Sequence, residues 1–301
     1  MTLPIEVVAL LAAFAYASSQ VVSKLATRHG DVMSGLVVSL VAGAAALGVL
    51  CLATVDSWRI PASAVVLFVL AGVAGAGLGR LLMMRAVRDA GASVASPVLS
   101  STQPVAATGF AVAFLGERPT AGRLSMLVLV VAGLWLSARG GSANRGIAVL
   151  HTGPVDLVRL LIWPVAAGAA LATSDLLRKA ALDIHPDAAL GAFLGVATAT
   201  LGWLLVTAVR EPGALRRRPP AYGWFALHGV LTALAAFLLF LALRVGDLSL
   251  VAPIIAAQPV FVVMIGAVVL RNLEAVRTGT VVGALIVFGG IATSSLIDGT
   301  G

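Results

Sequence analysis

Ten apolar runs of about 17–25 residues, each parted from the next by a short polar stretch, leave this chain few folds to choose from. They lie near residues 4–27, 32–54, 62–87, 92–115, 121–138, 157–181, 188–209, 221–243, 248–270 and 278–297. A helix of that length crosses the hydrocarbon of a bilayer, where the backbone must satisfy its own hydrogen bonds. Only 11% of the residues are charged and 60% are hydrophobic, whereas roughly a quarter are charged in a soluble domain. The expectation is an all-α integral membrane protein with ten transmembrane helices, multi-pass in the cell membrane (the inner one if the cell has two). Val7 to Ala17 has the length of a signal-peptide core, and Ala15 to Ala17 looks like a cleavage box. No basic residue precedes it from Met1 to Glu6, so the first run is expected to remain a helix.

The chain is also duplicated. Arg88, Ser93 and Pro97 recur 156 residues later as Arg244, Ser249 and Pro253, and Gln103-Pro104 recurs after 155 as Gln258-Pro259. Gln20 and Lys24 match Asp175 and Lys179, His29 and Asp31 match His185 and Asp187, and Phe68 and Gly72 match Phe225 and Gly229. Near-constant offsets over several helices mean a five-plus-five repeat. An odd number of crossings turns the second copy upside down. The expected organisation is a first five-helix repeat over 1–140, a glycine-containing linker over 141–154 and a second, inverted five-helix repeat over 155–298.

Each copy places its Gln-Pro pair about half-way along a spanning run. Proline lacks the N–H and clashes with the carbonyl four residues back, so the carbonyls of Ser100 and Ile255 should be freed near mid-membrane. Such backbone survives only against protein or a watery cavity, and broken helices at matching places in two halves point to a transporter's central site. Gln103 and Gln258 are either glue between helices or substrate contacts. Gly75, Gly77 and Gly79 superficially suggest a dinucleotide loop. They lie inside a spanning run with no strand before them, so close helix packing is the expectation and no cofactor is called for.

Arg85 to Arg88, the Gly91 to Pro97 entry to the fourth run, and Leu115-Gly116-Glu117 to Thr120 before the fifth make the chain similar to the EamA family of the drug/metabolite transporter superfamily. The resemblance spans nearly the whole chain. It implies a secondary carrier with a central cavity between its halves and termini in the cytoplasm. The second half departs from the pattern, with Leu270 to Glu274 in place of Gly-Glu. Lysine and arginine gather mostly on the side away from the termini, much of the excess coming from Arg210 and Arg216 to Arg218. That distribution favours termini outside the cell, so the orientation stays open.

Charges inside a bilayer are costly and point to function. Arg80 is the deepest cation, and Lys24, Arg85 and His228 fall in the same half of the membrane with no spanning acid beside them. They could attract a carboxylate or phosphate, or could snorkel to the interface. Asp175 is the one acid well inside a spanning run. It is either paired with Lys179 or Arg178 one turn on, or a proton-coupling carboxylate. The net charge of +7 does not indicate nucleic acid, because the basic residues flank apolar runs. A lone Cys51, four scattered histidines and the lack of HExxH or GxSxG argue against a metal site or an enzyme.

The reading is a secondary transporter, monomer or homodimer, moving a small polar, anionic or zwitterionic metabolite of amino-acid or organic-acid type by alternating access. Arg80, Gln103, Gln258, Gln20, His228 and Lys24 are its candidate substrate contacts, and protons through Asp175 its candidate coupling ion. The alternatives are a flippase for an anionic lipid headgroup or a non-transporting membrane protein.

Overall fold

The structure, a computed structural model, describes residues 4–28, 32–55, 58–141, 154–215, 222–269 and 278–298. These residues form helices and short connections, with no strand among them. In order they are α1 (Ile5–Ala26), α2 (Val32–Thr54), α3 (Ala62–Ala90), α4 (Ala92–Leu115), α5 (Ala121–Gly141), α6 (Pro154–Ile184), α7 (Ala188–Arg210), α8 (Tyr222–Val245), α9 and α10 (Thr278–Asp298). α9 is in two pieces, α9a (Leu248–Ile255) and α9b (Gln258–Val269). The ten helical runs fall where the apolar runs are. Eight are long and apolar enough to cross a membrane, and α5 and α10 carry the shorter apolar stretches Ala121–Leu136 and Val282–Ser294. His29, Asp31, the centre of the linker, Arg216 to Arg218 and Glu274 lie outside the described residues.

Local chemistry sets the helix ends. Asp187 caps α7, its carboxylate accepting from the Leu190 N–H at 2.9 Å. Gly91 between α3 and α4 and Gly116 after α4 have φ of 76° and 68°, which a side chain would resist. The middle of α3, Val73–Gly79, is a π-helix, which the expectation of close packing for its glycines did not include. Glycine holds the α conformation poorly. The widened turn is supported from outside by the Trp203 indole, which donates to the Ala76 carbonyl at 2.9 Å.

The two Gln-Pro pairs behave differently. α4 stays helical through Pro97 and Pro104. α9 breaks at Ala256 and Ala257, where bonds tighten to three-residue spacing: Ala257 N–H to Ile254 O at 3.1 Å and Val260 N–H to Ala257 O at 3.0 Å. Pro97 and Pro104 stand seven residues apart, on nearly one helix face, because a heptad drifts by only about 20°. A single bend can accommodate both. The second copy has one residue fewer between Pro253 and Pro259, which puts them on different faces. There the chain interrupts, and Pro259 becomes the second residue of a new helix, where its missing N–H forfeits no helical bond.

The helices pack into two compact units, Met1–Gly77 with Leu177–Gly246 and Leu78–Leu176 with Asp247–Gly301. The units are not the repeats, since each takes helices from both. Close approaches within each unit show why. In the first, a Cβ on Gly72 of α3 would lie 2.7 Å from the Gly195 carbonyl oxygen of α7, and one on Gly229 of α8 would overlap the Ser39 carbonyl of α2. Gly72 and Gly229 are duplicates, and so are Ser39 and Gly195. Phe68 fills the space over Gly191, and its duplicate Phe225 fills the space over Gly35, itself the duplicate of Gly191. In the second unit a Cβ on Gly133 of α5 would sit 2.6 Å from the Gly283 carbonyl oxygen. One on Gly290 of α10 would sit 2.8 Å from Leu129 Cβ and 3.5 Å from the Met126 carbonyl oxygen. Gly133 matches Gly290, and Met126 matches Gly283. Every such contact joins a helix of one repeat to a helix of the other, through the small residues that let membrane helices approach backbone to backbone.

Gly229→Ala should therefore lower stability by about 1–3 kcal/mol, the usual cost of overpacking. Gly109→Ala and Gly202→Ala, where nothing lies within 4 Å, should be neutral or slightly stabilising. Unfolding of the three variants in detergent, followed by circular dichroism, checks the contrast.

Candidate functional site

α4 carries no ionisable side chain from Ala92 to Leu115. It lies very close to α6: a Cβ on Gly168 would be 2.7 Å from Thr102 Cβ and 3.1 Å from the Leu99 carbonyl oxygen. The neighbour of Thr102, Gln103, reaches α6, and its Nε2 donates to Oδ2 of Asp175 at 2.9 Å. Asp175 is 5% exposed. Two residues selected from the sequence for separate reasons thus meet in the second unit. The sequence offered Asp175 two cations one turn on, Lys179 and Arg178. The Lys179 ammonium is 3.0 Å from an Asp183 carboxylate oxygen and donates to the Leu243 carbonyl at 3.2 Å. Arg178 lies over the Phe240 ring, 5.6 Å from its centroid.

Arg80 follows the π-helical turn directly and is exposed on the surface of the chain. It stands four residues past the middle of Ala62–Ala90, on the order of 6 Å at 1.5 Å per residue. Arg85 is exposed too, with its guanidinium 4.6 Å from the centroid of the Trp163 ring on α6. Arg88 belongs to the last turn of α3 and pairs with its neighbour Asp89 at 3.0 Å. Gln258 is half-buried and opens α9b.

The remaining selected residues belong to the first unit. Gln20 and Lys24 are exposed on α1, Lys24 in its last turn. His228 is half-buried on α8, with Nδ1 2.9 Å from the Ser19 carbonyl oxygen. A carbonyl can only accept, so Nδ1 carries the proton and the imidazole ties α8 to α1. Of the residues expected from the sequence in one half of the membrane, Lys24 and His228 belong to the first unit and Arg80 and Arg85 to the second.

One residue with a clear role was undervalued. Gly116 turns the chain left-handed after α4, and Glu117 then accepts from the first two N–H groups of α9a, Leu248 at 2.7 Å and Ser249 at 2.9 Å. A carboxylate at a helix N-terminus satisfies orphan donors and meets the positive end of the helix dipole. Beside it the Arg123 guanidinium binds the Asp247 carboxylate. The Gly-Glu motif was visible, but nothing in its spacing announced a partner 131 residues away. Ser101, Thr108 and Ser249 also bury hydroxyls that have no hydrogen-bond partner among the described residues. Water or a polar ligand is the ordinary partner of such groups.

An all-helical, multi-pass membrane protein with an internal duplication and polar groups held within its spanning helices is the architecture of a transporter. The chain belongs to the EamA-like transporter family, whose model matches it twice, over residues 3–139 and 159–296, once per repeat. Its place is in a lipid bilayer, and its family moves small molecules rather than catalysing reactions on them. A solved crystal structure, described only as that of a protein, is similar over 96% of this chain and 96% of its own, with a TM-score of 0.76 and 18% identity. At that identity the likeness speaks for the fold. Comparison with curated proteins found no match.

Glu117→Ala should lower stability by about 1–2 kcal/mol, the upper range for a lost helix cap. Glu117→Gln, which can still accept one bond, should fall between it and the parent. Thermal unfolding of the purified variants in detergent measures the order.

Proposed function

We propose that the chain carries a small polar metabolite bearing a carboxylate or phosphate, by alternating access. The observation behind this reading is Arg80. It is exposed on a spanning helix about one turn from the helix midpoint. A guanidinium at that depth is costly against hydrocarbon, and such residues face an aqueous path or a partner. Arg85, three to four turns of α6 away from Asp175 by way of Trp163, adds a second cation on the same helix. The one acid well inside a spanning run, Asp175, is buried and bonded to Gln103 of α4. A route lined in this way favours an anionic or zwitterionic solute.

The test is transport by the purified protein in liposomes of phosphatidylethanolamine and phosphatidylglycerol, with labelled glutamate, succinate and phosphoserine and with choline as the cationic comparator. At least one anionic probe should move and choline should not. Arg80→Gln keeps a polar side chain and removes the charge. Loss of a charge-assisted bond of about 1.5–3 kcal/mol corresponds to roughly a ten- to hundred-fold weaker affinity for that probe. Arg88→Gln, at an exposed ion pair with its sequence neighbour, should change it little. Preference for choline, or equal affinity of the parent and Arg80→Gln, would overturn the reading.

A further inference from the structure

We propose that the interruption of α9 at Ala256 and Ala257, together with the Thr108 hydroxyl of α4, is a subsite for a small, singly charged cation. The inference rests on the carrier reading, in which such a subsite holds either a sodium ion or the ammonium end of a zwitterionic solute. The break leaves two carbonyls unanswered. In a continuous helix Ile255 would accept from residue 259 and Ala256 from residue 260. Residue 259 is proline and has no N–H. The Val260 N–H turns instead to the Ala257 carbonyl at 3.0 Å, and the Ala257 N–H to that of Ile254 at 3.1 Å. The carbonyls of Ile255 and Ala256 therefore accept no backbone hydrogen bond among the described residues. Ile255 is buried and Ala256 half-buried. Lipid cannot serve such groups.

Thr108 on α4 is a second unsatisfied group. It is 6% exposed, and its hydroxyl has no hydrogen-bond partner among the described residues. Other hydroxyls of the spanning helices donate to the carbonyl four residues back, as Thr102 does to Val98, Thr198 to Leu194 and Thr232 to His228, each at 2.8 Å. Thr108 does not use the Pro104 carbonyl in this way. A buried hydroxyl without a partner is costly, and a ligand is one of its ordinary remedies. Its height matches the break. Glu117, just past α4, binds the first N–H groups of α9a, and α9a packs along α4, so the two run antiparallel from that point. Thr108 precedes Leu115, the end of α4, by the same number of residues as Ile255 follows Leu248, the start of α9a, which is about 10 Å along each. α6 lies against Leu99, Thr102 and Gln103, and at about 100° per residue Thr108 falls on the opposite side of α4.

The chemistry is that of a monocation. Carbonyl oxygens and the C-terminal end of α9a present negative charge. Unwound carbonyls at a broken spanning helix take the place of part of a cation's hydration shell. The hydroxyl oxygen adds a lone pair. Neither α4 from Ala92 to Leu115 nor α9 from Leu248 to Val269 has an ionisable side chain. The oxygens are thus neutral and match a single charge, whereas a divalent ion calls for carboxylates. α4 stays helical through Pro104, so the first copy makes no such opening.

The test is thermal unfolding of the purified protein in detergent and choline chloride, with choline replaced stepwise by sodium or by methylammonium at constant ionic strength. A ligand that binds only the folded state raises Tm as its concentration rises. A larger rise with sodium than with methylammonium assigns the subsite to an alkali ion, and the reverse assigns it to a solute's ammonium. Thr108→Val removes the hydroxyl, and Pro259→Ala restores an N–H for the Ile255 carbonyl. Each should lose most of the rise while staying at least as stable as the parent in choline chloride. Thr232→Val, whose hydroxyl is bonded within its own helix, should keep the rise. No rise with either salt in the parent, or a rise in either subsite variant equal to the parent's, would overturn the subsite. The readout needs no transported probe, so failure of the anionic probes to move would tell against the carrier reading alone.

Discussion

Lipid offers no hydrogen bond, and that constraint accounts for most of what is particular in this protein. The helices satisfy their own backbones, so the informative places are those where a helix cannot. The π-helical stretch Val73–Gly79 receives the Trp203 indole on one of its carbonyls. Pro259 falls at a fresh helix start, reached through the turn at Ala256 and Ala257. The first N–H groups of α9a end on the Glu117 carboxylate. Buried Asp175 has the Gln103 amide. Arg80 follows the π-helical stretch directly, and Gln258 opens the helix after the turn in α9.

The duplication works through packing as much as through descent. Gly72 on Gly195 and Gly229 on Ser39 are the same contact made twice, as are Phe68 over Gly191 and Phe225 over Gly35. A repeat that packs mainly against its twin cannot mature as a separate bundle, which is why both compact units mix the halves. The symmetry is chemical only in part. Gln103 has Gln258 as its copy, but Asp175 has Gln20, and α4 runs through its prolines where α9 breaks.

Much of this was legible in the amino-acid order. The length of the apolar runs set the ten helices almost to the residue, and constant offsets disclosed the repeat. Asp175 and Gln103 were both identifiable, one as the acid in a spanning run and the other by its proline. Their meeting was not, because it depends on Gly168 letting α6 approach Thr102, a fact of three dimensions with no linear period. The same holds for Glu117 and Leu248. For Lys24, Arg80, Arg85 and His228 the depth along each helix could be counted, but the helix face could not, and the contact of the His228 ring with Ser19 was not foreseeable. The π-helix was concealed by its own glycines, which also fit ordinary close packing.

The proposed route requires Arg80 to face water inside the membrane. The direct measurement is thiol labelling of Arg80→Cys on a Cys51→Ala background, the native cysteine being buried. A charged, membrane-impermeant methanethiosulfonate should modify the residue in intact liposomes, and the anionic probe that is transported should slow the reaction. Labelling by lipid-soluble maleimides alone, with the charged reagent inert from both sides, would place Arg80 against lipid and contradict the account.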